Sequence, residues 1–366
     1  MRPLPIWLTA LLLFWGGSTR ATGDLILSNE FSERFADESE KPDIKAARQA
    51  FLRKEYHQAR KLLEKALSQA ETLPHPELQL ALWHFNANHT TIGKKIMEQL
   101  AITESHRADF LYTVAEMARD TNRLDKAWAH LSAAEQATPR ARWSKKYVQH
   151  LNTLITQAKT RTAIEQAKYF LSADNNMQAE QWFQIAADVS NAGREAYLHW
   201  LLKNNRGRAA EKLAAVARQP SKQISYQRAL ALRMQGRHHE SATHLNALRK
   251  ADNGSFHITN QLALTLAADS RIDEAMRLAE MNRQQFPDGQ EANVTFAWLL
   301  HLQGKSREAE PIIERTLATG HASRDTAYYL SEIKRAVGKI QEAQIFLNSA
   351  KESRGEFFNA YHVLSP

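Results

Sequence analysis

The segment ALTLAADSRIDEAMRLAEMNRQQFP, residues 263–287, contains the pattern that decides the fold. Its small residue Ala263 is followed twelve residues later by Ala275, and Pro287 stands twelve residues after that. The second small position recurs every 34 residues within residues 221–354, at Ser241, Ala275, Ala309 and Ala343. Small residues at fixed offsets allow helices to pack closely, and a period near 34 is typical of stacked helix–turn–helix units. The sequence therefore predicts a repeating array of helix pairs.

The first half of the chain has the same spacing. Its small residues twelve positions apart form the pairs Ala47 and Ala59, Ala81 and Gly93, and Ala115 and Ala127. The spacing is lost in residues 140–221, although helix-like apolar patterns continue there. From Ala127 to Ser241 the distance is three periods plus twelve residues. We therefore expect about three degenerate pairs in this middle part, with one inserted turn or a lengthened helix.

Two stretches carry the full pattern of a known family. They are Ala115–Asn122–Leu124–Ala127–Leu131–Ala134–Pro139 and Ala263–Ser270–Ile272–Ala275–Ala279–Pro287. Both resemble the tetratricopeptide repeat, and the resemblance implies an all-α, right-handed superhelical solenoid. It implies TPR-like repeats in residues 44–139 and 222–354, with degenerate helical repeats in 140–221 between them. The apolar and aromatic residues of 355–366 predict a C-terminal helix that caps the last repeat. Pro311 departs from the pattern, and we expect it to kink or shorten its helix.

Composition narrows the possible classes of protein. The 366-residue chain has no cysteine, which excludes disulfides, thiolate zinc sites, cysteine nucleophiles and a lipoprotein anchor. The formal net charge of +8 favours weak attraction to anionic partners. It is not by itself a nucleic-acid signature, and we expect no nucleic-acid partner.

The N-terminus has the pattern of a secretory signal. Residues 1–21 combine a positive start at Arg2, an apolar run over residues 6–15 and small residues near Ala21. The alternative is an uncleaved N-terminal anchor. Residues 22–43 form an acidic linker. We therefore expect a secreted or periplasmic protein of the bacterial envelope, with membrane contact only through an uncleaved N-terminal segment.

No catalytic motif stands out in the sequence. It lacks a phosphate-binding glycine loop, a nucleophile elbow and a zinc-protease helix. The nearest approach to a metal site is the cluster of His238, His239, Glu240 and His244, but His239 and His244 are five residues apart and fall on different helix faces. We expect no enzymatic activity, cofactor or metal.

The family geometry implies that the first helix of each pair lines a concave groove. Aromatic and arginine side chains at such positions are common anchors of peptide interfaces. The predicted partner-binding residues are Tyr112, Arg119, Tyr226, Arg233, Asn260, Trp298, His301 and Arg335, with Glu116, His257, Tyr328 and Glu332 at further groove positions. The rival interpretation is that several of them serve inter-repeat packing.

These features predict a non-catalytic protein–protein interaction scaffold or adaptor of the cell envelope that binds a protein or peptide. The alternative is an accessory role in the assembly or export of exopolysaccharide or another surface polymer. In that case the basic middle part would bind an acidic polysaccharide. Its cations are Arg140, Arg142, Lys145, Lys146, Lys159, Arg161, Lys168, Arg206, Arg208, Lys212, Arg218 and Lys222. An ordinary solvated helix surface would also account for them.

Overall fold

The computed structural model describes residues 42–69, 76–139, 145–252, 254–317 and 323–352. Within these ranges the chain forms eighteen helices and no strand. The chain divides into two compact units, Met1–Trp182 and Phe183–Pro366, and each is described separately. The signal, most of the acidic linker and the C-terminal capping helix predicted from the sequence lie outside the described residues. The last two linker residues, 42 and 43, belong to the first helix.

The helices follow one another as antiparallel pairs. Those that begin in the first unit are α1 (Pro42–Leu52), α2 (Tyr56–Gln69), α3 (Pro76–Asn86), α4 (Thr90–Thr103), α5 (Ala108–Asp120), α6 (Leu124–Gln136), α7 (Lys145–Ser172) and α8 (Asn176–Val189). The others are α9 (Asn191–Lys203), α10 (Gly207–Ala215), α11 (Lys222–Met234), α12 (His238–Ala251), α13 (Phe256–Ala268), α14 (Ile272–Gln285), α15 (Gln290–Leu302), α16 (Ser306–Leu317), α17 (Arg324–Ala336) and α18 (Ile340–Glu352).

Every turn inside a pair has the same backbone geometry. One residue adopts a positive φ, and the next residue donates its N–H to the carbonyl five positions earlier, at 2.7–3.1 Å. This is the Schellman arrangement, which satisfies the last carbonyls of the first helix. In the described turns inside pairs, the nine positive-φ residues are Lys54, Asn88, Asn122, Asp174, Asn205, Gly236, Ser270, Gly304 and Gly338. Asn122 and Ser270, which lie between the two helices of the family stretches quoted above, are among them.

The small residues of the 34-residue pattern lie where helices touch. Ala115 and Ala127, which face each other across one pair, are both 0% exposed. The corresponding residues of the later pairs are also buried, from Ala229 and Ser241 to Ser331 and Ala343. At Gly93 an added Cβ would lie 2.9 Å from the Phe85 ring. Close helix packing therefore explains why these positions are small.

The middle of the chain differs from the expectation of three pairs. It contains two pairs, α7–α8 and α9–α10, because the extra length goes into α7. That helix spans 28 residues, and its sequence has no glycine or proline to end it. The repeat geometry continues nevertheless, since Ala179 and Ala210 are fully buried five residues after the turn residues Asp174 and Asn205.

Pro311 lies inside α16, and the helix continues through it from Ser306 to Leu317. Its missing N–H removes one intrahelical hydrogen bond and its ring crowds the carbonyl of Arg307, but neither effect ends the helix. Among the helices of the described residues, none combines the length and apolar character required to cross a membrane.

Candidate partner-binding surface

In the first unit, the two predicted partner-binding residues are already engaged by the protein. Tyr112 is 6% exposed and packs in a cluster with Leu131 and Ile155. Arg119 lies among carboxylates, 3.2 Å from Glu116, 3.0 Å from Asp120 and 3.5 Å from Glu165. Glu116, a further predicted groove residue, is 5% exposed. These contacts link α5 to α7 and leave little of either predicted side chain for a partner.

Two residues of the second unit that we expected at the groove surface are buried. Arg233 is 1% exposed, and its guanidinium donates to the side chains of Gln261, at 2.8 Å, and Thr265, at 3.3 Å. Asn260 is 3% exposed. The interpretation of Tyr112, Arg233 and Asn260 as contact residues is therefore corrected, because their side chains are buried within the protein. For Arg233 the physical reason is that Gln261 and Thr265 on α13, the first helix of the next pair, lie within hydrogen-bonding distance of its guanidinium.

The two other predicted groove residues that precede Trp298 in the second unit are more accessible. Tyr226 is half-buried and packs against the core of the second unit. The imidazole of His257 is exposed, and its Nδ1 lies 3.4 Å from a carboxylate oxygen of Glu291. The His257 ring also contacts the ring of Phe256, with centroids 5.2 Å apart, and Phe256 contacts Phe286 at 4.8 Å.

Trp298, His301 and Tyr328 form an aromatic patch on α15 and α17. The Trp298 ring stacks on Tyr329 beneath it, with centroids 4.3 Å apart and planes inclined by 18°. It also stacks on His301 at 5.1 Å and contacts Tyr328 at 6.1 Å. The three patch residues are half-buried, whereas Tyr329 is 2% exposed. A rigid aromatic surface of this kind has little conformational freedom to lose on binding.

Charged and titratable groups border the aromatic patch. Burial, together with the positive charge of Arg335, lowers the pKa of His301, so this ring is neutral at pH 7. Its Nδ1 lies 2.9 Å from the Ser306 hydroxyl. Arg335 is 57% exposed and pairs with Glu332 on the same helix. Burial also raises the pKa of the Tyr328 hydroxyl. The patch thus combines neutral aromatic rings with one accessible guanidinium.

The surface residues of the aromatic patch could be predicted from the sequence, but Tyr329, which supports the Trp298 ring, could not. Tyr329 did not stand out because it faces the core, although an aromatic residue directly follows Tyr328 in the sequence. The predicted residues Trp298, His301 and Arg335 are brought together by the structure with Tyr328 and Glu332. Tyr226 and the residues of the first unit do not belong to this cluster.

The described residues contain no group of three or more histidine, aspartate or glutamate side chains that could hold a metal ion. The histidine cluster on α12 does not converge, because His239 points towards Asp269, with Nδ1 3.4 Å from the carboxylate. Burial lowers the pKa of His244, which lies near Arg228.

Comparison with solved structures identifies the fold. A tetratricopeptide repeat protein from Parabacteroides merdae superposes with a TM-score of 0.50 over 70% of this chain and 96% of its own, at 15% sequence identity. The chain has the tetratricopeptide-repeat fold. This fold is an all-α helical-repeat solenoid, as the 34-residue period predicted.

Two other solved structures match with lower TM-scores and support no further argument. MamA MSR-1 matches with a TM-score of 0.32 and 14% identity over 44% of this chain and 95% of its own. The human IFIT1 dimer with PPP-AAAA matches with a TM-score of 0.42 and 14% identity over 92% of this chain and 84% of its own. No protein-family model and no curated protein matches the sequence.

Proposed function

We propose that this protein is a non-catalytic protein-interaction scaffold that binds a partner peptide through the aromatic patch. The observation that carries the proposal is the stack of half-buried Trp298 on buried Tyr329, beside the exposed Arg335. Tryptophan, tyrosine and arginine are the residues most enriched among interface hot spots. A helical-repeat fold supports such a role because it presents extended, rigid surface without requiring chemistry.

The patch favours a peptide with an aromatic or long aliphatic side chain. Such a side chain would cover the exposed edge of Trp298 and Tyr328 and remove their apolar area from water. The neutral His301 ring would accept contact without the cost of desolvating a charge. Arg335 would favour a carboxylate beside the apolar anchor, because its guanidinium is exposed and its pairing with Glu332 is at the surface.

We extend this proposal to the cellular location. A role as an adaptor of the bacterial envelope, secreted or periplasmic, is supported by the signal-like pattern of residues 1–21. N-terminal sequencing of the chain recovered from envelope fractions tests it. A mature terminus near Thr22 in the soluble periplasm is expected, whereas an intact Met1 in the inner membrane would indicate an anchored scaffold.

The alternative function, an accessory role in exopolysaccharide or surface-polymer export, predicts a different ligand. Binding would then depend on basic side chains and fall steeply with salt, because screening weakens exposed charge interactions. Peptide binding through the aromatic patch would depend much less on salt. Retention of the full chain on an anionic polysaccharide resin at two salt concentrations distinguishes the two.

A peptide-display selection on the purified full-length chain tests the proposed function directly. The selected peptides are expected to share an apolar anchor and to lose binding to a Trp298→Ala, Tyr328→Ala double variant. Trp128→Ala serves as the matched control, because Trp128 is a half-buried tryptophan in contact with another ring, Trp182, in the first unit. Equal binding of the peptides to wild type, double variant and control would refute the proposal that they bind at the aromatic patch.

A second variant guards against misfolding of the double variant. Arg335→Ala removes an exposed side chain, so helicity should be unchanged. The expected result is a loss of preference for peptides with a carboxylate beside the anchor. Unchanged preference would show that Arg335 takes no part in recognition.

A further inference from the structure

The second unit contains a cavity of about 750 Å³ that is separate from the aromatic patch. It lies at the start of α10, beside the turn between α11 and α12. Its lining residues are Asn205, Arg206, Gly207, Arg208, Ala209, Lys212, Met234, Gln235 and Arg237. A cavity of this size is in the range of small-molecule sites.

The lining of this cavity is strongly basic. Four of its nine residues are cationic, and none is acidic. Arg208 and Lys212 are exposed and one helical turn apart, and neither forms an ion pair with any residue that the structure describes. Two cations on one helix face repel each other, which is unfavourable in the absence of an anion.

The other two cations are held in place by neighbouring side chains. The guanidinium of Arg206 lies over the Trp200 ring, 5.5 Å from its centroid. Arg237 donates two hydrogen bonds to Glu240, at 2.7 Å and 2.6 Å. Glu240 therefore offsets part of the charge of Arg237. The cavity thus combines two positioned guanidinium groups with two accessible cations.

The helix packing behind the cavity is tight. An added Cβ at Gly207 would lie 2.9 Å from the Cβ of Met234, so α10 approaches α11 closely here. The Gln235 amide donates to the Ala231 carbonyl at 3.0 Å and to the Gly207 carbonyl at 3.4 Å. These contacts fix the floor of the cavity before any ligand arrives.

We propose that this cavity binds a small organic ligand with more than one oxyanion group. Arginine binds phosphate and carboxylate oxygens through paired N–H donors, while lysine adds an adaptable point charge. The two groups that fit this chemistry are the phosphoryl groups of a phosphorylated small molecule and the carboxylates of a short acidic glycan. The proposal does not rest on the peptide-binding role of the aromatic patch.

Isothermal titration of the full-length chain with two probes tests the site. Pyrophosphate represents the phosphoryl source and trigalacturonate the carboxylate source, and a neutral trisaccharide is the blank. An Arg208→Gln, Lys212→Gln double variant should weaken binding roughly tenfold or more, because charge-assisted hydrogen bonds are lost. An Arg218→Gln, Lys250→Gln variant is the matched control: it removes the same charge from exposed positions outside the cavity.

Binding of either probe that is lost in the cavity variant and kept in the control supports the proposal. The probe that binds identifies the source of the oxyanion. Equal weakening in both variants would show only non-specific attraction to a basic chain and would overturn the proposal. Failure of both probes to bind below about 1 mM, the weak limit of specific recognition, would overturn it too. Neither failure bears on peptide binding, which is measured separately.

Discussion

Lys334 and Glu310 form a buried ion pair, with Nζ 2.9 Å from a carboxylate oxygen. The lysine side chain is 2% exposed, and it also pairs with Glu314 and, at 2.7 Å, with Glu342. One ammonium group therefore connects α16, α17 and α18. Burial alone would lower the pKa of Lys334, but hydrogen bonds to the three carboxylates raise it well above the usual lysine value. The side chain stays charged throughout the working pH range, and its stabilising contribution would be lost only in strong alkali.

We expect Lys334→Ala to destabilise the C-terminal helices by about 3 kcal/mol, the lower part of the range for breaking a buried pair. The lower part applies because Glu314 and Glu342 are about half-exposed. Lys339→Ala is the control, since Lys339 also lies 2.9 Å from Glu310 but is 46% exposed. Its effect should stay below about 1 kcal/mol. Thermal unfolding measures both variants, and equal decreases in their melting temperatures would contradict the role of burial.

A second prediction concerns pH and the histidine pair in the first unit. His84 is 2% exposed, packs against the rings of Phe51 and Tyr56, and has its Nδ1 3.4 Å from Nδ1 of His89. Burial lowers the pKa of His84, and the charge of His89 lowers it further. Because the folded state favours the neutral ring, the unfolded chain binds more protons once the pH falls below the ordinary histidine value of about 6.5.

The free energy of unfolding should therefore decrease between pH 7.5 and pH 5.5, by at most about 1.4 kcal/mol per pH unit for one proton. His130, His244 and His301 also have lowered pKa values, so the test is a difference between proteins. A His84→Gln variant should lose part of the decrease in melting temperature that the wild type shows on acidification. Identical pH profiles would exclude a contribution from His84.

Gly193 supports a third prediction, about helix packing. An added Cβ there would lie 1.9 Å from the carbonyl oxygen of Ala186, so α9 crosses the backbone of α8 without room for a methyl group. Gly193→Ala should cost about 3 kcal/mol, at the upper end for overpacking, because backbone must move. Gly338→Ala is the control: its φ is +85° and no heavy atom lies near its added Cβ, so only about 1 kcal/mol of backbone strain is expected.

Chemical denaturation followed by far-ultraviolet circular dichroism measures both glycine variants. The midpoint should fall further for Gly193→Ala than for Gly338→Ala. A variant at Gly193 as stable as the wild type would mean that α9 can shift away from α8 at little cost.

The repeat fold could be predicted from the sequence wherever spacing was regular. Buried positions such as those of Ala115 and Ala127 have room only for small residues, so the 34-residue period is visible in the sequence. The middle was harder, because nothing in residues 145–172 signals how far α7 extends. A search for turn residues of any type five positions before a small residue would have found Ala179 and Ala210. Asparagine and aspartate replace glycine there, since both tolerate a positive φ.

The candidate site was only partly predictable, for a different reason. Trp298 and His301 lie three residues apart on one helix, so their spacing in the sequence already places both rings on one helix face. The burial of Arg233 could not, because it depends on Gln261 and Thr265 of the next pair supplying hydrogen bonds. A sequence pattern shows that a side chain is polar, but not whether a neighbouring helix provides its partners.

Arg233 and Arg335 give the fourth prediction, which separates a structural arginine from a contact arginine. Arg233 is 1% exposed and donates to Gln261 and Thr265, whereas the Arg335 side chain is 57% exposed. Arg233→Met should lower the unfolding free energy by about 2 kcal/mol, because the buried partners lose a charge-assisted donor. The affinity for peptides selected on the aromatic patch should stay the same.

Arg335→Ala should leave the melting temperature within about 1 °C, as expected of an exposed position. It should weaken the binding of those peptides that carry a carboxylate. Titration calorimetry and thermal unfolding on the same preparations measure both properties. If Arg233→Met abolished peptide binding at unchanged stability, its side chain would have to reach the partner, and the assignment of Arg233 to helix packing would be wrong.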